Sequence, residues 1–200
     1  MPSKKVTTVG AAIGVLAIGA TLALTAPPSH AATTRIPYTT AGETAITGLG
    51  ASLPLGPGQT EVDIDLQSGQ FTGKIDLPET RTDFTMFGFL PTHAKVKITQ
   101  AGALKGTFQG DAVTAAGDFG VAITEVGHFD VGMPLPNCKT TAPVQIKLKS
   151  AGAFNPSNGG KLTGTYQLPK FADCGFDTEI INMLVGGKEN TITIALTAKK

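Results

Sequence analysis

The chain has 200 residues, of which 41% are hydrophobic and only 16% charged, and its formal net charge is +1. A balance this near neutral leaves no electrostatic reason to expect nucleic acid or an anionic membrane as partner. With 25 Gly, 13 Pro, 10 Phe and no Trp, the composition favours strands joined by tight turns over helices.

Lys4 and Lys5 precede an apolar run from Val9 to Leu24 that Pro27 and Pro28 end. Ser29-His30-Ala31 then presents small residues where a signal peptidase reads, so residues 1–31 are expected to be a secretory signal cut between Ala31 and Ala32. A transmembrane anchor is the competing reading, and the short, Ala- and Gly-rich run argues against it. No Cys lies at the cut and no Arg pair precedes the run, which argues against a lipid anchor and the twin-arginine route. The mature chain, 32–200, has the length of one β domain, secreted or cell-wall associated, with no integral membrane segment after processing. Loss of Lys4 and Lys5 takes its formal charge from +1 to −1.

Ile36 to Thr40 reads as an edge strand, since Pro37 is tolerated there. Glu43 to Leu55 is a Gly-interrupted strand that ends in a turn at Pro54 to Gly58. Thr60 to Leu66 alternates, with Val62, Ile64 and Leu66 on the core face and Glu61, Asp63 and Asp65 outside. Ser68-Gly69 turns the chain into a strand from Phe71 to Leu77. The apolar stretch Asp83 to Leu90 links this strand to another at Thr92 to Gln100, and 101–120 reads as a linking hairpin. After strands at Val144 to Leu148 and Thr163 to Leu168, Asp177 is placed to cap a short helix near 178–185 that Gly186-Gly187 ends. Asn190 to Ala198 closes the chain as a strand.

One phrase occurs twice. Thr72-Gly73-Lys74-Ile75-Asp76-Leu77-Pro78 is matched by Thr163-Gly164-Thr165-Tyr166-Gln167-Leu168-Pro169, and the flanking runs match in the same order. An internal duplication is the reading, with repeat one at 43–100 and repeat two at 121–198. The fold class expected is all-β: an antiparallel sandwich or barrel built from two pseudo-symmetric four-stranded repeats. The acidic row Glu61, Asp63, Asp65 is expected beside Lys147 and Lys149, or beside Lys95 and Lys97.

Cys138 and Cys174 are the only cysteines, and in an oxidising compartment they are expected to pair as a disulfide. A metal site there would need further ligands, and none lies nearby. No nucleophile elbow, zinc-binding helix or phosphate loop appears. His93 and His128 sit in no catalytic phrase; Asp63 and Asp65 share a strand face, which reads as solvated rather than as a calcium or glycosidase pair. The sequence therefore assigns no catalytic residue, no metal and no cofactor. Its most suggestive feature is apolar: Phe84, Met86, Phe87, Phe89 and Leu90, with Ile181 and Leu184 of the helix, are candidate ligand-lining residues or plugs of the core ends.

From Gly164 through Phe171-Ala172-Asp173-Cys174-Gly175 to Asn190-Thr191, with Cys138 ahead of Pro143-Val144, the chain resembles a group of exported β-rich actinobacterial proteins without an established biochemical role. The resemblance covers roughly the last 80 residues and implies export and fold type, not activity. A second resemblance, carried by length, export and strand content, is to exported lipocalin-like barrels that hold isoprenoid lipids. The first functional expectation is a non-enzymatic extracellular or cell-envelope protein acting by binding or surface association, with a cell-wall or protein partner. The alternatives are a carrier of a lipid or other apolar small ligand, and a secreted hydrolase of unrecognised type. The hydrolase would need a cleft where His93 or His128 meets a carboxylate.

Overall fold

A computed structural model describes residues 33–200; the expected signal segment and its cut at Ala31-Ala32 lie outside them. The elements in order are β1 (Thr33–Ile46), β2 (Ala51–Asp65), β3 (Gln70–Asp76), β4 (Thr80–Met86), β5 (Leu90–Gln100), β6 (Leu104–Gln109), β7 (Ala112–His128), β8 (Val131–Pro134), β9 (Lys139–Thr140), β10 (Val144–Ser150), β11 (Gly159–Gln167), β12 (Phe171–Ala172), a 3₁₀ turn (Gly175–Asp177), α1 (Thr178–Val185) and β13 (Glu189–Ala198). The ladder runs β10-β11-β13-β1-β2-β3-β6-β7, and β7 pairs back with β10, closing eight antiparallel strands into a barrel. Closure removes the free edges that an open sheet would expose.

The barrel continues into a second storey because three strands are longer than the ring needs. β7 has 17 residues: Ala112–Ala116 pair with β6, and Phe119–His128 pair with β5. β4 adds to β5, while β8 and β9 lie along the other side of β7. Facing this annex are Ala41–Ile46 of β1, the start of β2 and the start of β13. The seam between β2 and β4 carries no ladder; the buried Thr82 hydroxyl bridges it by donating to the Ser52 carbonyl at 2.9 Å. α1 crosses the open end of the annex.

Strand lengths differ from the sequence reading at the expected Glu43 to Leu55 strand, which Thr47 to Gly50 turn into the β1–β2 hairpin, and at two prolines. Pro37 lies inside β1, because β13 has already run out there: Tyr38 pairs with Ala198, and the Pro37 carbonyl accepts from the Lys199 amide. The turn expected at Pro54 to Gly58 is instead a bulge within the continuous β2, where the register shifts between Thr40 and Gly42. A side chain at Gly56 (φ +94) would run into the Thr40 carbonyl, so the bulge requires glycine. Leu66 is not a core residue. It sits in the β2–β3 turn, 66% exposed, and Asp65 organises that turn by accepting from the Gln67 amide and the Ser68 hydroxyl.

The acidic row of β2 has different neighbours from those expected. β10 is on the far side of the ring, so Lys147 and Lys149 are remote, and Arg35 and Lys74 take the positions opposite Asp63 and Glu61. Arg35 makes the bidentate pair with Asp63 at 2.7 and 2.9 Å. The expected repeats do not map whole onto the ring: the Thr92 to Gln100 strand expected to complete repeat one is β5 of the annex, and β6, from the expected linking hairpin, stands beside β3 instead. Gly73 stands between Val62 and Leu104, and Gly164 between Leu148 and Ile192. The boundary expected at residue 121 falls within β7.

Candidate ligand-binding end

Two apolar cavities occupy the core. One of about 80 Å³ fills the closed ring among Tyr38, Val62, Phe71, Phe108 and Phe154. The other, about 120 Å³, lies in the annex under α1, and Ile98 borders both.

Strand register builds the annex wall. In antiparallel sheets directly opposed residues share a face. One cross-strand row is Phe84, Thr92, His128, Val131; the next is Thr82, Ala94, Val126, Met133. The first three members of each row line the cavity. The fourth members, on β8, are out in solvent: Val131 is 71% and Met133 51% exposed. The apolar wall thus runs past the edge of its cover and emerges at the surface.

The helix forms the roof. Ile181, Leu184 and Val185 point into the cavity, and Ile180 both lines it and reaches solvent. α1 is short for independent stability, so its position depends on ties to the barrel. Asn182 acts like a strand partner: its Oδ1 accepts from the Phe171 amide at 2.7 Å and its Nδ2 donates to the Phe171 carbonyl at 3.0 Å. The Gly187 amide donates to the Leu168 carbonyl. The Cys138–Cys174 disulfide, both residues fully buried, fixes the start of the 3₁₀ turn against β9. Asp177 does not cap the helix; the Thr178 hydroxyl donates to the Gly175 carbonyl and accepts from the Cys174 amide in its place.

The candidate lining residues divide accordingly. Phe84, Met86, Ile181 and Leu184 line the cavity. Phe87 and Phe89 do not: Asp83 to Leu90 is a β4–β5 hairpin rather than a loop plug, and its tip carries them outward, 55% and 75% exposed. Leu90, at the base of the tip, is half-buried and outside the lining. Ala94, Val126 and His128 belong to the wall but were missed in the sequence, although alternation from His93 onward and from Glu125 onward could have marked them. Val131 and Met133 were missed because a strand of four residues gives too little periodicity.

The rim is apolar on several sides. Among the described residues, eight of the nine large, exposed hydrophobic side chains belong to this end: Phe87 and Phe89, Phe129, Val131 and Met133, and Phe176, Ile180 and Met183. Their carriers are neighbours, since the Phe129 amide donates to the Pro91 carbonyl and His128 pairs with Thr92. Leu66, the ninth, lies in the β2–β3 turn.

Polar groups inside the cavity are satisfied by protein. Thr44 donates to the Thr191 carbonyl and accepts from the Tyr166 phenol at 2.8 Å. Burial pushes the Tyr166 phenol up, against the opposing pull of Thr44. Thr92 donates to the Leu90 carbonyl, so its 3.0 Å contact with His128 assigns the proton to Nδ1 and leaves His128 Nε2 as an acceptor at the wall.

On the outer face of the same sheet, His93 is 3% exposed, laid over Gly127, where a side chain would strike its ring. Its Nε2 is 3.3 Å from Glu125 Oε1, and Lys95 donates to the other carboxylate oxygen at 3.0 Å. Lys95, ahead of desolvation, sets the Glu125 carboxyl below its ordinary value. Arg81 beside Asp83 does the same for Asp83. His93 and His128 are on opposite faces and do not meet. Among the described residues no three His, Cys, Asp or Glu side chains converge on a metal-sized site, and no helix is long and apolar enough to cross a membrane. Comparison of the chain with family models, with curated proteins and with solved structures finds no match.

Proposed function

We propose that this is an exported, non-catalytic binding protein whose annex end holds an apolar small ligand. The observation that carries the reading is the continuity of one apolar face from the cavity under α1, through Val126 and His128, to the exposed Met133 and Val131. A monomeric soluble domain gathers apolar side chains at one place chiefly where something docks, and apolar-lined concavities with few polar groups are the usual form of small-molecule sites. The buried disulfide favours an oxidising compartment and therefore export. The like positions of Gly73 and Gly164, each set between apolar residues of two neighbouring strands, support an ancestral duplication of part of the barrel.

The hydrolase reading draws on the His93–Glu125 contact. Against it, Lys95 holds Glu125, and His93 is closed off from solvent with no serine or cysteine among its bonded partners. The test of the binding reading uses N-phenylnaphthylamine, a neutral dye that brightens in apolar surroundings. The full chain should bind it saturably, and a variant carrying Phe87→Ser, Phe89→Ser and Phe129→Ser should bind it much more weakly. Fluorescence that stays at the level of free dye, or is indifferent to the triple substitution, rules the reading out.

A further inference from the structure

The annex cavity has features that select among apolar ligands. A void on the order of 150 Å³ lined by aliphatic and aromatic side chains takes a six-carbon ring. At about 120 Å³, this one is smaller and suits a narrow tail, while a fused-ring body such as the dye rests against the apolar rim outside it. Its depths offer a ligand no hydrogen-bond donor, because the hydroxyls of Thr44, Thr82 and Thr92 already donate to protein carbonyls and the Tyr166 phenol donates to Thr44. An acceptor oxygen, a carboxylate above all, carried inside would be left without a donor. Among the described lining residues the titratable side chains are His128, Asp177 and the Tyr166 phenol, and no lysine or arginine is present. Asp177 and His128 belong to the elements that frame the opening, and Asp130 follows His128 by two residues in the β7–β8 turn. Arg81 is engaged with Asp83 and Asp130 on the outer face of the sheet. The described lining therefore has one carboxylate, Asp177, and an imidazole acceptor, and no lysine or arginine to balance an added negative charge. A carboxylate or phosphate head would lose water there without gaining a counter-charge.

We propose that the cavity under α1 takes the tail of a single-chain amphiphile with an uncharged, hydroxylated head, and that the head donates its hydroxyl proton to Nε2 of His128. Beyond His128 the exposed Val131 and Met133 continue the same apolar face. This ligand class rests on the reading of the annex end as a binding site, and the two stand or fall on different measurements.

Calorimetric titration of the full chain with straight alkanols from butanol upward tests it. Affinity should rise about fourfold with each methylene while the tail is inside, as burial of hydrocarbon requires, and then level off. Octanoate at neutral pH should bind at least about tenfold more weakly than octanol, the cost of an unpaired charge at the opening. His128→Leu should weaken octanol about fivefold relative to octane, the worth of one hydrogen bond. Octanoate binding as tightly as octanol, or affinity indifferent to chain length, overturns the proposal without recourse to any variant. If the dye binds and octanol does not, the ligand class falls while the binding end stands; if neither binds, both fall.

Discussion

Replacing Ala94 with Leu distinguishes a real cavity from a tightly packed core by the sign of its effect. Ala94 is 7% exposed and lies in the wall row between Thr82 and Val126, directly beneath α1. Leucine adds three carbons. If they enter the void of about 120 Å³, their transfer from water stabilises the fold by about 2 kcal/mol, at roughly 0.8 kcal/mol for each methylene-sized group. If the space is already filled, the same carbons force neighbouring side chains off their rotamers, at a cost of about 1–3 kcal/mol. Equilibrium urea unfolding reads the difference directly, with the slope checked for constancy so that a midpoint shift reports stability. A gain of about 2 kcal/mol should raise Tm by roughly 4–8 °C for a domain of this size. The same substitution should abolish octanol binding while leaving dye binding at the rim. A destabilised Ala94→Leu chain, or one that still takes octanol, refutes the cavity as the place where a tail lodges.

Three further outcomes follow from the same geometry. Cys138→Ala with Cys174→Ala opens a loop with a sequence separation of 36, so urea unfolding should show a loss of about 4 kcal/mol; a loss below about 1 kcal/mol would mean the roof holds without it. Asn182→Leu removes both bonds to the Phe171 backbone and should cost about 2 kcal/mol, with faster hydrogen exchange at the Phe171 amide; unchanged exchange would show that α1 is held elsewhere. The carboxyls of Asp63, Asp65, Asp83 and Glu125 are all held below their ordinary values, chiefly by Arg35, the Ser68 hydroxyl, Arg81 and Lys95 respectively. A depressed folded-state value gives stability that is present above the unfolded value and lost as pH falls through the folded one. Stability should therefore decline below about pH 4 and stay level from there to neutral pH; stability that rises on acidification would contradict the pairings.

The fold class was legible because half-buried strands announce themselves by alternation, as Val62 and Ile64 against Asp63 do, and because glycine pairs mark the turns. The disulfide followed from having only two cysteines in a chain expected to be exported. The length of β1, β2 and β7 was not legible. Pro37 reads as an edge-strand residue and Pro54 as a strand end, but both lie in ring strands where one adjacent strand is absent, and only the assembled sheet shows that. The annex was hidden for a related reason: β7 changes partners halfway, from β6 to β5, without any local change in its pattern. Four of the seven residues expected from apolar content, Phe84, Met86, Ile181 and Leu184, do line the cavity, and most of the rest of the wall was not foreseen. Phe84 and Met86 point inward while Phe87 and Phe89 project, because a hairpin tip breaks the alternation that sorts faces. His128 was invisible as a site residue, since its role comes from standing opposite Thr92 and Val131.

Native mass spectrometry of the protein purified from its own culture medium tests most directly whether the annex end holds a small amphiphile. The expected spectrum shows one chain carrying a single small organic molecule, which the Ala94→Leu protein lacks. A bare chain, or a dimer that carries nothing, would contradict it.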